Sequence, residues 1–226
     1  MANPFTHRRR DVSTVAVIGL GRFGRALATE LAESGTEVLG VDTDEEAVQQ
    51  LNGVLTHVVR ADSTRDAVLE QLGIDDFDRV VIGIGSDIQA SILTASLLKR
   101  RGVKEVWAKA ISEQHGLILE QIGVEHVVYP ESDMGRRVAH LVSGHLLDFV
   151  AVEKDFVMAK TTPPAEVVGL RLTEARIRDR HQVTVVAVRE GDRWNYATGD
   201  TRLEAGQRLL VLGTTRSTER FASLPR

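Results

Sequence analysis

Three glycines, an arginine between them and an acid further on carry the first chemistry legible in this chain. Gly19, Gly21 and Gly24 stand at the spacing G-x-G-x-x-G inside V-A-V-I-G-L-G-R-F-G-R-A-L (15–27). Such a turn asks Gly19 to take φ > 0 and Gly21 to present no side chain, so that backbone N–H groups reach a diphosphate. It asks Gly24 to let the following helix lie against the strand. The diphosphate would sit over the unpaired N–H groups at the helix start, where the dipole favours negative charge. Asp42 ends the second apolar run about twenty residues on, where a carboxylate accepts from both ribose hydroxyls and repels a 2′-phosphate. The competing reading of Asp42 is a cap for a helix over 44–51. Arg22 stands inside the glycine turn, where a guanidinium meets phosphate oxygens bidentately; a solvated surface arginine is the alternative. Asp62-Ser63 and Ile84-Gly85-Ser86 follow the third and fourth apolar runs, at the carboxyl edge where ligands settle in open α/β sheets.

No catalytic constellation accompanies the turn. His140 and His145 are five residues apart, on different faces of a helix, and His57 and His126 fall at strand margins. There is no defensible Ser/His/Asp set, no Walker lysine loop, and no proton donor to face a nicotinamide. Nucleotide binding without such groups suggests sensing.

Positioning these groups falls to strands alternating with helices. Strands are expected at 15–18, 38–42, 56–59, 79–84, 105–108 and 126–129, and helices after the glycine turn and at 44–51, 64–72, 87–100 and 112–122. Asp62 or Ser63 is placed to cap 64–72, and Ile88, Ser91, Ile92, Ala95 and Leu98 share one side of 87–100. This alternation implies right-handed crossovers and a Rossmann-like, doubly wound parallel sheet over 13–130. Residues 131–148 read as a linker helix whose spare apolar side (Val138, Leu141, Val142, Leu146) would cross to a partner subunit. The rest, 149–226, reads as a small α+β domain. Its strands are expected at 149–152, 156–161, 183–188, 193–197 and 208–212, with a charged helix at 172–180 and a short last helix. It is small for a catalytic substrate domain.

Composition narrows the class. The chain has 226 residues, a net charge of -4, 42% apolar and 27% charged residues, as in an ordinary globular protein. That charge argues against nucleic-acid binding, the exception being His7-Arg8-Arg9-Arg10 in a stretch, 1–12, that reads as a disordered basic tail. The tail lacks the apolar core of a signal peptide, and no run approaches the roughly 18 apolar residues of a membrane span. The absence of cysteine fits a reducing, cytoplasmic compartment and excludes disulfides and thiolate metal sites.

The chain resembles the regulator-of-K⁺-conductance family, in particular the cytosolic gating subunits of Ktr/Trk potassium transport systems. The resemblance rests on V-I-G-L-G-R-F-G (17–24), V-L-G-V-D (38–42), I-G-S-D-I-Q-A-S (84–91), W-A-K-A (107–110) and V-Y-P-E-S-D-M-G (128–135). The second half adds V-T-V-V-A-V-R-E-G-D (183–192) and L-E-A-G-Q-R-L-L-V-L-G (203–213). The family implies a homodimer that assembles into an octameric ring, docked on a membrane K⁺ channel subunit at the inner face of the membrane. ATP against ADP, or NAD and NADH in some members, sets the ring's conformation. By similarity, Gly19, Gly21, Phe23 and Gly24 belong to the nucleotide site, with Asp42, Thr43 and Asp44 on the ribose and Asp62 and Ser63 on the adenine side. Ile84, Gly85, Ser86, Lys109, Ala110, Ile111 and His115 would line the rest, and Arg22 would reach a γ-phosphate bound across the dimer. Glu131 would help bind a divalent cation or Na⁺ near the phosphates; read from its position alone, it is equally a first-turn helix acid favoured by the dipole. Some relatives bind cyclic di-AMP in the C-terminal domain, where Arg178 and His181 fall. This chain departs there, carrying N-Y-A-T-G-D (195–200) where relatives often have proline near Ala197.

Two rivals come from other classes. A small NAD-dependent oxidoreductase would need a proton-transfer residue at the nicotinamide end. An NADH-sensing repressor would need a basic winged helix, and only residues 7–10 offer anything similar.

Overall fold

The computed structural model describes residues 13–142, 147–153 and 155–226, without the side chain of His140. The basic stretch 7–10, His145 and Leu146 lie outside the described residues. The chain divides after Glu131 into two compact units.

In the first unit, β1 (Thr14–Ile18), β2 (Glu37–Asp42), β3 (His57–Arg60), β4 (Arg79–Ile82), β5 (Val106–Lys109) and β6 (His126–Val128) form one sheet in the order β3-β2-β1-β4-β5-β6. Every pair is parallel. The connections carry α1 (Arg22–Glu33), α2 (Glu45–Leu51), α3 (Asp66–Gln71), α4 (Ile88–Arg100) and α5 (Glu113–Ile122). Successive side chains of a strand point to opposite faces, and here both faces are buried. Ala16 and Ile18 of β1 join one apolar cluster with Val80, Ile82, Leu98 and Leu119, while Val15 and Val17 join another with Leu20, Ala28 and Leu51. Burial on both sides explains why these strands read as unbroken apolar runs, with about 1.5–3 kcal/mol gained per buried aliphatic side chain.

Three local expectations are corrected. The third helix begins only at Asp66, and Arg65 at its N-cap makes no side-chain cap. The Asp62 carboxylate instead accepts from the backbone N–H and the hydroxyl of Thr64, at 3.0 and 2.6 Å, in a turn of its own. On α4, Ile88 is 41% exposed, whereas Thr94 is buried with Ser91, Ala95 and Leu98.

α6 (Pro130–Val142) opens on the last residues of the first unit and exposes Met134, Val138 and Val142. The second unit has β7 (Asp148–Glu153), β8 (Phe156–Thr161), β9 (Val183–Glu190), β10 (Arg193–Tyr196) and β11 (Arg208–Thr214) in the antiparallel order β10-β9-β11-β8-β7. Its core joins Phe149, Val157, Val183, Leu209 and Val211 to Phe221 of α9 (Thr215–Ala222). The single helix expected over 172–180 is two short ones, α7 (Leu172–Ala175) and α8 (Ile177–His181). The break is Arg176, held at φ 46 with its guanidinium on Asp179 at 3.0 Å.

Candidate functional site

The carboxyl ends of β1 to β5 open into a cavity of about 830 Å³. Its floor is the glycine turn. Gly19 has φ 95, and its N–H donates to the Val41 carbonyl at 2.8 Å, tying the turn to β2. A Cβ on Gly24 would lie 1.8 Å from the Gly19 carbonyl oxygen, and one on Gly83 would lie 2.7 Å from the same atom. β1, β4 and α1 therefore meet at a point where only hydrogen fits. Gly21 is different, because a Cβ there would meet nothing within 4 Å. It is the N-cap of α1, and no side chain caps that helix end or places an acid in its first turn. The first N–H groups of α1 thus face the cavity without a capping side chain, an arrangement suited to an anion.

Asp42 resolves its two readings by geometry. The helix over Glu45–Leu51 is capped by Asp44, whose carboxylate accepts from the Glu46 N–H at 2.9 Å. Asp42 accepts from the Leu20 N–H at 2.6 Å and from the Asp44 N–H at 2.9 Å. It clamps the glycine turn to the β2–α2 corner. Ser63, buried, shares a 2.9 Å hydrogen bond with Thr94. The hydrogen bonds from Thr64 hold Asp62 below its usual carboxylate pKa.

On the other side of the cavity, Lys109 ends β5 and is only 8% exposed. Its ammonium pairs with Glu131 Oε1 at 2.5 Å and lies 5.8 Å from the centre of the Phe23 ring. The Lys109 hydrogen bond, with smaller help from the Lys109 and Arg22 charges, holds the Glu131 carboxyl below its usual range.

Most residues named from the sequence come together here. Gly19, Gly21, Arg22 and Phe23 line the cavity with Asp42, Thr43, Asp44, Asp62 and Ser63. Ile84, Gly85, Ser86, Lys109, Ile111 and Glu131 complete that set. Gly24, Ala110 and His115 do not line it: Gly24 is packed under the turn, and Ala110 is buried with its N–H on the Val128 carbonyl at 2.8 Å. His115 is buried to 2% exposure behind the wall, where Nδ1 accepts from the Ile111 N–H at 3.5 Å and Nε2 has no partner. Burial pushes its pKa below the ordinary histidine value.

The cavity also recruits Leu20, Arg25, Thr64 and Asp87, which sequence reading missed. Arg25 had a signal, since it falls three residues after Arg22, on the same side of the helix. Asp87 had one too, as the cap of α4, accepting from Ala90 N–H at 2.9 Å. Among the described residues, no three His, Cys, Asp or Glu side chains cluster as metal ligands. The two residues named for a second ligand part company. Arg178 lines a cleft of about 440 Å³ in the second unit with Arg176, Thr173 and Thr198. His181 does not line it, lying 3.0 Å from Glu166 Oε1, with its ring 5.3 Å from that of Phe221.

Strand order 3-2-1-4-5-6, a glycine turn where that order reverses and an acid ending β2 define a Rossmann-like, doubly wound α/β domain carrying a small antiparallel α+β domain. The TrkA-N domain matches residues 15–130 and the TrkA-C domain residues 156–225. The chain belongs to the regulator-of-K⁺-conductance family, among Ktr/Trk-type potassium uptake proteins. Ktr system potassium uptake protein C of Bacillus subtilis (strain 168) is 39% identical over 177 residues, 78% of this chain and 80% of that one. Ktr system potassium uptake protein A of Vibrio alginolyticus is 36% identical over 200 residues, 88% and 91% of the two chains. Among solved structures, the GsuK channel bound to NAD aligns with a TM-score of 0.52 at 22% identity, over 93% of this chain and 38% of that one, a likeness of fold. No helix of the described residues is long and apolar enough to cross a membrane.

Proposed function

We propose that the chain is the nucleotide-sensing regulatory subunit of a Ktr/Trk-type potassium transport system and not an enzyme, with ADP and ATP competing for the glycine-lined cavity. NAD and NADH are the alternative occupants. The observation that carries this reading is the division of charge around one cavity. The Asp42 and Asp62 carboxylates stand over β2 and β3, while Arg22, Arg25, Lys109 and the uncapped start of α1 stand from β1 to β5, where the acids of the lining are Asp87, which caps α4, and Glu131, which is paired with Lys109. A ribose belongs over the first group and phosphates over the second. Asp42, Thr43 and Asp44 take the ribose, and Asp62 and Ser63 the adenine side. His115, the one histidine expected in the pocket, is buried behind its wall, so among the described residues no histidine lines the cavity to serve the oxidoreductase rival.

Two copies sharing α6 would assemble into an octameric ring on the inner face of a membrane K⁺ channel subunit. The exposed apolar residues of α6 support that exchange. A divalent cation or Na⁺ at Glu131 would need the nucleotide's own oxygens or a second copy to complete its ligands. Cyclic di-AMP, if bound, belongs in the cleft lined by Arg178.

ATP and ADP shift a conformational equilibrium only through their difference in affinity for the two states. A tenfold preference needs about 1.4 kcal/mol, within reach of one charge-assisted contact from Arg22 to a terminal phosphate. Titration calorimetry on Arg22→Ala should show ADP binding close to wild type and a loss of discrimination in favour of ATP. Equal losses for both nucleotides would refute the assignment of Arg22, and no adenine-nucleotide binding by the wild-type chain would refute the function. Sustained turnover of reduced nicotinamide with candidate substrates would favour the oxidoreductase instead.

A further inference from the structure

The Lys109–Glu131 pair is unequal in a way that decides which partner can leave. The Lys109 side chain is 10% exposed and that of Glu131 is 63% exposed. A buried ammonium needs an anionic partner to stay charged, whereas an exposed carboxylate returns to water at little cost. The ammonium is also placed where a phosphate would arrive. It crosses above Gly85, where a Cβ would lie 2.9 Å from Nζ, and stands beside Phe23 in the first turn of α1. The Arg22 charge acts on the same carboxylate. Two cations and a helix N-terminus thus converge, and among the described residues the only anion set on Lys109 there is Glu131.

We propose that Glu131 is an internal competitor for the phosphates of the nucleotide: its carboxylate neutralises Lys109 in the resting site, and a phosphate must displace it to reach the ammonium. This rests on the nucleotide-sensing reading and deepens it. Exchanging one anion for another keeps the buried lysine paired throughout. It also makes affinity depend on what the ligand offers Lys109, so that a nucleoside without phosphate gains nothing from the exchange. Because Glu131 lies in the first turn of α6, displacing it breaks the hydrogen bond that ties that turn to Lys109 at the end of β5.

The experiment is calorimetry on the full chain with ATP, ADP and adenosine, first in chelator and then with Mg²⁺. In chelator, Glu131→Gln should bind ATP and ADP about fivefold to tenfold more tightly, with adenosine unchanged. Lys109→Met should weaken ATP and ADP, leave adenosine unchanged, and shrink the gain from Glu131→Gln when the two are combined. Should Lys109→Met not fold, Glu131→Ala carries the same sign test, since that carboxylate is exposed. Unchanged or weaker ATP and ADP binding by Glu131→Gln in chelator would overturn the proposal. A Glu131→Gln variant that loses affinity only when Mg²⁺ is added, after gaining it in chelator, upholds it and shows that the freed carboxylate serves the cation. Wild-type chain that binds adenosine and ADP, with the wrong sign for Glu131→Gln, would sink this inference and leave the nucleotide reading standing.

Discussion

Two pairs of glycines, one in each unit, meet opposite needs. In the first, Gly24 and Gly83 bring backbone within contact of one carbonyl, that of Gly19, so three elements converge where any side chain would collide. In the second, Gly191 and Gly206 have φ 58 and 71, and a Cβ on either would meet nothing within 4 Å. They supply a turn's handedness and nothing more. The cavity of the first unit is accordingly floored by backbone, with N–H groups directed into it, whereas the cleft of the second is walled largely by side chains such as Arg176 and Arg178. Close approach at Gly24 and Gly83 builds the floor of a site, whereas Gly191 and Gly206 serve only to reverse the chain.

Gly24→Ala tests that contrast with the largest expected effect. A methyl 1.8 Å from a carbonyl oxygen cannot be absorbed by rotating a side chain, so α1 must lift from the turn. We expect a loss of about 3 kcal/mol or more in urea denaturation, together with lost nucleotide binding. Gly191→Ala carries only the strain of a left-handed residue and should lose about 1 kcal/mol, with binding intact. Equal losses would erase the distinction.

The same contrast explains what was legible in the sequence. The glycine turn could be read because close approach demands the same missing side chains at the same spacing wherever it occurs. The doubly wound sheet could be read because burial on both faces leaves unbroken apolar runs. The break at Arg176 could not, because a non-glycine residue at φ 46 leaves no mark in composition, and neither glycine nor proline stands at 172–180 to end the helix. His115 was placed in the pocket by family likeness, yet its burial depends on how α5 packs behind Ile111, which no local pattern encodes. Asp62 looked like a helix cap because the residue type is right, but Thr64, two residues on, offers it a backbone N–H and a hydroxyl first.

Asp42→Asn sharpens the comparison at intermediate size. The carboxylate gives one oxygen to Leu20 N–H and the other to Asp44 N–H, and an amide can accept with only one of its two atoms. One backbone N–H loses its partner and the remaining bond loses its charge, for an expected cost of about 1–2 kcal/mol, read by denaturant midpoint. Asp192→Asn in the second unit removes a carboxylate paired with Arg189 but 99% exposed, and should leave the midpoint unchanged. A comparable fall for both would mean that Asp42 acts as surface charge and not as a clamp on the turn.

The smallest effect is a pH slope that should belong to the first unit alone. Burial lowers the His115 pKa from 6.5, so below that pH the unfolded chain takes up a proton that the folded chain refuses. The sign follows directly. Above 6.5 neither state is protonated and stability is flat. As pH falls from 6.5 towards the folded value, stability declines, by at most about 1.4 kcal/mol per pH unit for one proton. The depressed carboxylates act separately: Asp62, Asp66, Asp78, Glu105, Glu125 and Glu131 in the first unit and Asp148 in the second lose their stabilisation only as pH falls below their unfolded values of 3.8 to 4.5. Each unit holds one of the two tryptophans, Trp107 on β5 and Trp194 on β10, so Trp194→Phe and Trp107→Phe variants report on the units one at a time. The denaturation midpoint followed by Trp107 fluorescence should fall as pH drops below 6.5, and His115→Asn should abolish that slope. The same slope at Trp194 would mean that the two units unfold together, and its survival in His115→Asn would mean that another group carries the proton.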